Sequence, residues 1–98
     1  MISRQVSSQG ENEIIQLKQK LVQMKSEQES EILKLSQNIA IHPNDDSIYN
    51  QRGQIFYQSG KFKEAINDFT KTIAINANIP EYYNNLAEVF AYEGDTKF

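Results

Sequence analysis

The chain has 98 residues, a formal net charge of −3 and no cysteine. This length allows one small domain. The acidic balance argues against a nucleic-acid-binding surface, which normally carries a basic stripe. The absence of cysteine excludes a disulfide scaffold, a thiolate zinc site and a thiol nucleophile. No apolar run approaches the roughly 20 residues of a membrane-spanning helix, and the first ten residues lack the apolar core of a secretory signal. We therefore expect a cytoplasmic protein that binds neither nucleic acid nor membrane.

The N-terminal part of the chain divides into a polar tail and a helical segment. Residues 1–10 are polar and predict a disordered tail. Residues 11–45 form an N-terminal helical segment, which Pro43 terminates because a proline disfavours helical conformation in the preceding residue. Its apolar residues recur at helical spacing in two stripes, namely Ile14, Leu17, Leu21 and Met24, and then Ile32, Leu35 and Ile39.

The polar stretch between the two stripes has two interpretations that stay open at this point. It is either the solvated middle of one long helix or a corner between two helices. The corner is supported by Ser26 and Glu29, which have the three-residue spacing of a capping box. The long helix is supported by the absence of a glycine that could cap the end of a first helix.

Three shorter helices are predicted after Pro43. The run Asp45-Asp46-Ser47 offers side-chain oxygens that cap a helix start, and the helix that follows ends near Gln58. A third helix covers approximately residues 62–75. Pro80 suits the first turn of a fourth helix, which reaches about residue 93. Because apolar residues recur at helical spacing and no run alternates with period two, the predicted fold class is all-α.

The sequence matches itself at a shift of 34 residues. Residues 39–44 align with residues 73–78, and the similarity extends on both sides. A period of this length with two helices per period predicts a helical solenoid. The matched pairs are Ile32 and Ile66, Leu35 and Phe69, Tyr49 and Tyr83, Asn50 and Asn84, Phe56 and Phe90, and Gly60 and Gly94.

One stretch of the chain carries a family resemblance. Tyr49-x-x-Arg52-Gly53-x-x-Phe56, followed by Ser59-Gly60 and Ala65-x-x-x-Phe69, resembles the tetratricopeptide repeat (TPR). The resemblance implies one complete unit at residues 46–79. Residues 80–98 are then the first helix of a further unit or a C-terminal capping helix, and residues 11–45 end like the second helix of an earlier unit. The sequence departs from the family pattern at three positions, with Arg52 in place of leucine, Ala77 in place of proline and Gln19 in place of glycine.

The motif residues have packing roles in such a unit. Gly53 and Ala65 are small where two antiparallel helices approach most closely, and Gly60 suits a tight turn because glycine adopts positive φ readily. Aromatic side chains fill the space beside the close contact. The predicted structural residues are Tyr49, Gly53, Phe56, Gly60, Ala65 and Phe69.

The resemblance also implies a concave groove lined by the exposed faces of the first helices. Amides at these positions both donate and accept hydrogen bonds, so they can pair with an extended peptide backbone. Some family members hold an acidic chaperone tail there with basic side chains. In this chain those places are taken by Asn50 or Glu81 and by Gln51 or Asn85, so we expect a neutral or basic partner. The predicted groove residues are Asn50, Gln51, Gln54, Tyr57, Asn84, Asn85 and Glu88.

The predicted function is a non-catalytic adaptor or scaffold that binds a peptide or protein segment. We predict no catalytic residue, no metal and no cofactor. The reason is that the only histidine, His42, stands at a helix end without a second ligand or base nearby, and no strand precedes a glycine-rich phosphate loop.

An assembly function is the alternative. The stripe of residues 14–24 has near-heptad spacing typical of a coiled coil, but it lasts less than two heptads. Packing of this stripe on the first repeat is the favoured interpretation. In the alternative, the chain oligomerises or docks through its N-terminal helix and an exposed C-terminal helix face, or is the N-terminal fragment of a larger protein. The apolar residues of that last helix are Tyr82, Tyr83, Leu86, Val89, Phe90 and Tyr92.

Overall fold

The computed structural model describes the backbone of residues 2–92 and the side chains of residues 10–92. This part of the chain contains no β-strand, so the predicted all-α fold class is confirmed. The predicted end of the last helix near residue 93, and Gly94, lie outside the described residues. Four helices follow one another, namely α1 (Ile2–Ile41), α2 (Asp46–Gln58), α3 (Phe62–Ile75) and α4 (Pro80–Tyr92).

The long first helix differs from the sequence prediction at its start. A disordered tail was expected for residues 1–10, but the backbone is helical from Ile2. No proline interrupts these residues, and the single glycine, Gly10, costs a helix only about 1 kcal/mol relative to alanine. The helix also continues through Ser26, so α1 is one rod and not a hairpin. It ends at Ile41, two residues before Pro43, as the proline predicts.

The sequence accounts for both ends of α2. At the start of α2, Asp45 accepts a hydrogen bond from the backbone N–H of Ser47 at 3.0 Å, which is the predicted N-cap. At the end of α2, Gly60 has φ of +78°. The backbone N–H of Gly60 donates to Tyr57 and that of Lys61 to Phe56, which is the Schellman pattern of a helix end.

A close contact at Gly53 joins α2 to α3. A Cβ atom placed on Gly53 would lie 2.7 Å from Cε1 of Phe69, so a larger residue would overlap the ring. Ala65, Phe69 and Val89 are buried at the centre of the core. The structure therefore leaves no room for a side chain at Gly53 unless the Phe69 ring shifts. The half-buried residues that pack around this centre are Phe56, Tyr57, Phe62, Ile66 and Leu86.

Two further motif residues connect the core to its surroundings. Tyr49 is buried, and its hydroxyl donates to the backbone carbonyl of Pro43 at 2.8 Å. This bond fastens the loop before α2 to the helix that follows it. The ring of Phe56 lies under the guanidinium of Arg52, with 5.6 Å between the ring centroid and Cζ.

The helices stack in chain order. α1 packs on α2, α2 on α3, and α3 on α4, while α2 also touches α4. Arg52 on α2 lies between Asp68 on α3 and Ser36 on α1 and hydrogen-bonds to both, so a polar link crosses the first three helices. Of the helices described, none combines the length and the apolar character that crossing a membrane requires.

Candidate functional site

The predicted groove residues lie on α2 and α4, the two helices that touch without being consecutive in the chain. Across this contact, the side-chain amide of Asn85 donates to Oδ1 of Asn50 at 2.9 Å. We call the surface formed by the seven predicted residues the amide face. Its members are Asn50, Gln51, Gln54, Tyr57, Asn84, Asn85 and Glu88.

The members of the amide face differ in exposure. Gln51, Asn84 and Glu88 are exposed, whereas Asn50, Gln54, Tyr57 and Asn85 are half-buried. The structure brings Asn50 and Asn85 into direct contact. The exposed members surround this pair and keep their polar groups available to a ligand.

Tyr57 is placed differently from the prediction that treats it as a free groove side chain. Its ring packs against the core. It also lies edge-on to Tyr92, with 6.0 Å between centroids, and 5.9 Å from the ring of Phe62. These three aromatic residues therefore close one end of the amide face. The Tyr57 ring mainly serves packing, because the core, Phe62 and Tyr92 all lie against it.

The other end of the amide face is fixed by a hydrogen bond that the sequence does not reveal. The hydroxyl of Tyr82 donates to Oδ2 of Asp46 at 2.7 Å and so joins the first turns of α2 and α4. The bond raises the pKa of Tyr82 to about 12, because the carboxylate stabilises the protonated hydroxyl. The same bond lowers the pKa of Asp46 below its usual value. Tyr82, expected on the exposed apolar face of the last helix, is buried instead, as is Val89.

The electrostatics of the amide face are set by carboxylates. Glu81 and Glu88 are exposed on α4, which contains no lysine or arginine. The one cation of α2 is Arg52, and its charge is paired with Asp68. The described part of α2 and α4 therefore presents amides and negative charge, with no unpaired cation.

The sequence predicts no catalytic or metal-binding arrangement. Among the residues that the structure describes, no three histidine, aspartate or glutamate side chains gather as metal ligands would. His42 is exposed in the loop that follows α1. The side-chain hydrogen bonds between α2 and α4 join Asn85 to Asn50 and Tyr82 to Asp46.

Comparison with known proteins supports the repeat. Residues 53–94 match the family model described as TPR repeat. No curated protein matches the chain. The matched residues begin at Gly53, where α2 packs tightly against Phe69, and include all of α3 and α4. Repeats of this family generally mediate protein–protein interaction and are typically non-catalytic scaffolds. Over residues 53–94 the chain is therefore similar to the tetratricopeptide repeat.

Proposed function

We propose that the chain is an adaptor that holds an extended, neutral or basic peptide segment of a partner protein on its amide face. Residues 46–79 act as one repeat unit in this proposal. The first helix of that unit and the helix that begins at Pro80 supply the binding surface. The observation that carries the proposal is the side-chain hydrogen bond between Asn50 and Asn85, which joins the two helices through groups that can themselves bind a peptide.

The Asn50–Asn85 pair leaves hydrogen-bonding capacity unused. A side-chain amide offers two N–H donors and an oxygen with two lone pairs. The pair consumes one donor of Asn85 and one lone pair of Asn50. The remaining donors of Asn50 and the oxygen of Asn85 can therefore meet the C=O and N–H groups of a peptide.

The other amides extend the same chemistry along the surface. Gln51 and Gln54 are three positions apart on α2, a spacing that places side chains on neighbouring turns, about 5–6 Å apart. Alternate residues of an extended peptide are about 6.5–7 Å apart. Successive amides therefore have a spacing close to that of the peptide groups they would bind.

The charge of the surface selects the class of partner. Glu81 and Glu88 lie beside the amides, and Arg52, the cation of α2, is already paired. An acidic peptide would be repelled, whereas a peptide with lysine or arginine would be attracted to the carboxylates. A neutral peptide would bind through backbone hydrogen bonds and through the exposed part of the aromatic end near Tyr92.

The test uses peptides selected from a random display library against the wild-type chain, each labelled with a fluorophore and titrated by anisotropy. The groove variant is Gln51→Ala/Gln54→Ala/Asn84→Ala. The matched control removes three exposed amides from α1 and α3, as Gln37→Ala/Asn38→Ala/Asn67→Ala. Each variant loses three side-chain amides, from different surfaces of the molecule.

We expect the groove variant to bind the selected peptides at least about tenfold more weakly, which is the loss of one to two hydrogen bonds. The control should bind like the wild type, and acidic residues should be depleted from the selected sequences. Equal binding by both variants, a selection dominated by acidic peptides, or the absence of any groove-dependent peptide would contradict the proposal.

A further inference from the structure

The N-terminal half of α1 carries an uncovered apolar surface. The sequence favours packing of this stripe on the first repeat, but every residue from 11 to 27 is exposed. The reason is length, because α2 has 13 residues and α1 has 40. The end of α2 is marked by Ser59, whose hydroxyl donates to Gln28 at 3.2 Å. We call the uncovered surface the α1 stripe. It consists of Ile14, Ile15, Leu17, Leu21, Val22 and Met24, with exposed fractions between 51% and 67%.

A second uncovered surface lies on α4. Tyr83 is 48% exposed and Phe90 is 39% exposed, and Ala87 between them is also exposed. We call these three residues the α4 face. At the repeat shift of 34 residues they correspond to Tyr49, Gly53 and Phe56 of α2. On α2 that surface is the one covered by α3, whereas no described helix covers its counterpart on α4.

The α1 stripe is not suited to fold back and pack on the C-terminal half of α1. At the repeat shift, the buried residues Ala65, Asp68 and Thr72, which α3 presents inside the core, correspond to polar residues on α1. Those counterparts are Glu31, Lys34 and Asn38, and all three are exposed. A stripe folded back on this surface would bury two charges without partners, at a cost of several kcal/mol. Nor does α1 contact α4 within the described molecule.

Pairing of two α1 stripes is also disfavoured. The middle of the stripe is residue 19, so an antiparallel pair would place Lys18 and Lys20 of each helix against the same lysines of the other. In a parallel pair, the second helix would continue along the surface of Leu21, Gln28 and Leu35, residues seven apart on one side of α1. That surface is occupied by α2 from Gln28 onward.

The α1 stripe and the α4 face complement each other in charge and length. Residues 14–25 contain three lysines and no carboxylate, whereas α4 contains two glutamates and no cation. Because neither Glu81 nor Glu88 belongs to the α4 face, the attraction acts at a distance and favours encounter instead of forming ion pairs in the contact. The stripe of residues 14–24 is about 16 Å long and α4 is about 20 Å long.

We propose that the chain self-associates head to tail, with the α1 stripe of one copy packed on the α4 face of a second copy. The contact joins two different surfaces, so it produces a ring or an open chain of copies and not a two-fold dimer. The contact does not use the amides that bind a peptide in the proposed function, and the two proposals stand independently.

The test is sedimentation velocity over a wide range of protein concentration, with two interface variants. One variant is Leu17→Glu/Leu21→Glu, which changes only side chains that are more than 60% exposed. The other is Ala87→Lys/Phe90→Lys, on the α4 face. Circular dichroism of each variant checks that it retains the wild-type helix content.

The wild type is expected to grow in mass with concentration, and each variant alone is expected to be a monomer. A mixture of the two variants should form a one-to-one complex, because the α4 variant retains its stripe and the stripe variant retains its α4 face. A wild type that stays monomeric overturns the proposal. So does a mixture that fails to associate, as pairing through two identical surfaces would predict, or association that survives in either single variant.

Discussion

Arg52 on α2 and Asp68 on α3 form a bidentate ion pair in which Nε and one terminal nitrogen of Arg52 each lie 2.7 Å from a carboxylate oxygen of Asp68. The Asp68 side chain is 2% exposed and that of Arg52 is 20% exposed. The other terminal nitrogen of Arg52 donates to the hydroxyl of Ser36 at 3.0 Å. A position that holds leucine in the family pattern therefore serves here as a polar tie between three helices.

Removal of Arg52 alone is expected to destabilise the fold strongly. Arg52→Leu leaves the Asp68 carboxylate buried without its two charged donors, and breaking one side of a buried pair typically costs about 3–5 kcal/mol. Urea unfolding followed by circular dichroism measures the change in the free energy of unfolding.

The control for this prediction is the double variant Arg52→Leu/Asp68→Leu. Replacing both partners with apolar residues removes the buried charge, so most of the lost stability should return. If Arg52→Leu alone unfolds at the same urea concentration as the wild type, the ion pair has no structural role and this account of Arg52 is wrong.

Gly53→Ala is expected to destabilise the α2–α3 contact even though alanine is the better helix former. The new Cβ would lie 2.7 and 2.8 Å from two ring carbons of Phe69, which is 1% exposed and has little room to move. Overpacking of this kind costs about 1–3 kcal/mol, more than the gain of about 1 kcal/mol from helix propensity. Thermal melts should show a lower Tm.

Gly10→Ala provides the matched comparison. Apart from the adjoining backbone of α1 and the two neighbouring residues, nothing lies within 4 Å of the Cβ position at Gly10, so the substitution should leave the melting temperature unchanged or raise it. A Gly53→Ala variant that melts no earlier than Gly10→Ala would show that the helices can separate at Gly53 without loss.

The hydrogen bond between Tyr82 and Asp46 predicts a loss of stability at alkaline pH. The pKa of Tyr82 in the folded state is about 12, above the ordinary tyrosine value of about 10. The contribution of this bond is therefore complete below pH of about 10 and is lost as the pH rises toward 12. Tyr82→Phe should remove this part of the pH dependence, and Tyr83→Phe, which alters an exposed ring, should keep it. Ultraviolet absorbance at alkaline pH follows the same ionisation directly.

At acid pH, the stability contributed by the same pair is lost as the pH falls. The pKa of Asp46 is lowered by the hydrogen bond from Tyr82, so its contribution is complete above the ordinary aspartate pKa of about 3.9 and is lost as the pH falls further. Asp46→Asn should flatten the acid branch of the stability curve. An unchanged acid branch in this variant would mean that the bond does not form in solution.

Local signals in the sequence predict much of this fold. Asp45 caps α2, Gly60 supplies the positive φ of the turn, and Pro80 opens α4, because each acts through backbone atoms within a few residues. The family resemblance adds one long-range expectation, the close contact at Gly53, since it places small residues where two helices approach. The groove residues of α2 and α4 are predicted from the same resemblance.

The contacts that sequence reasoning misses depend on separation along the chain. Arg52 and Asp68 are 16 residues apart, and Asp46 and Tyr82 are 36 apart, so no local pattern pairs their side chains. The continuity of α1 is a different case. The capping-box spacing at Ser26 allows a helix start, but without a glycine or proline the backbone loses nothing by continuing.

The central claim, that the amides of α2 and α4 bind peptide, is tested most directly by observing those amides. The side-chain NH₂ groups of asparagine and glutamine give separate signals in a proton–nitrogen correlation spectrum. On titration with a peptide selected from the random library, we expect the signals of Gln51, Gln54 and Asn84 to shift together and to saturate. The signals of Gln37 and Asn67, on α1 and α3, should stay in place. Shifts confined to amides outside the amide face, with no change at Gln54 and Asn84, would contradict the account.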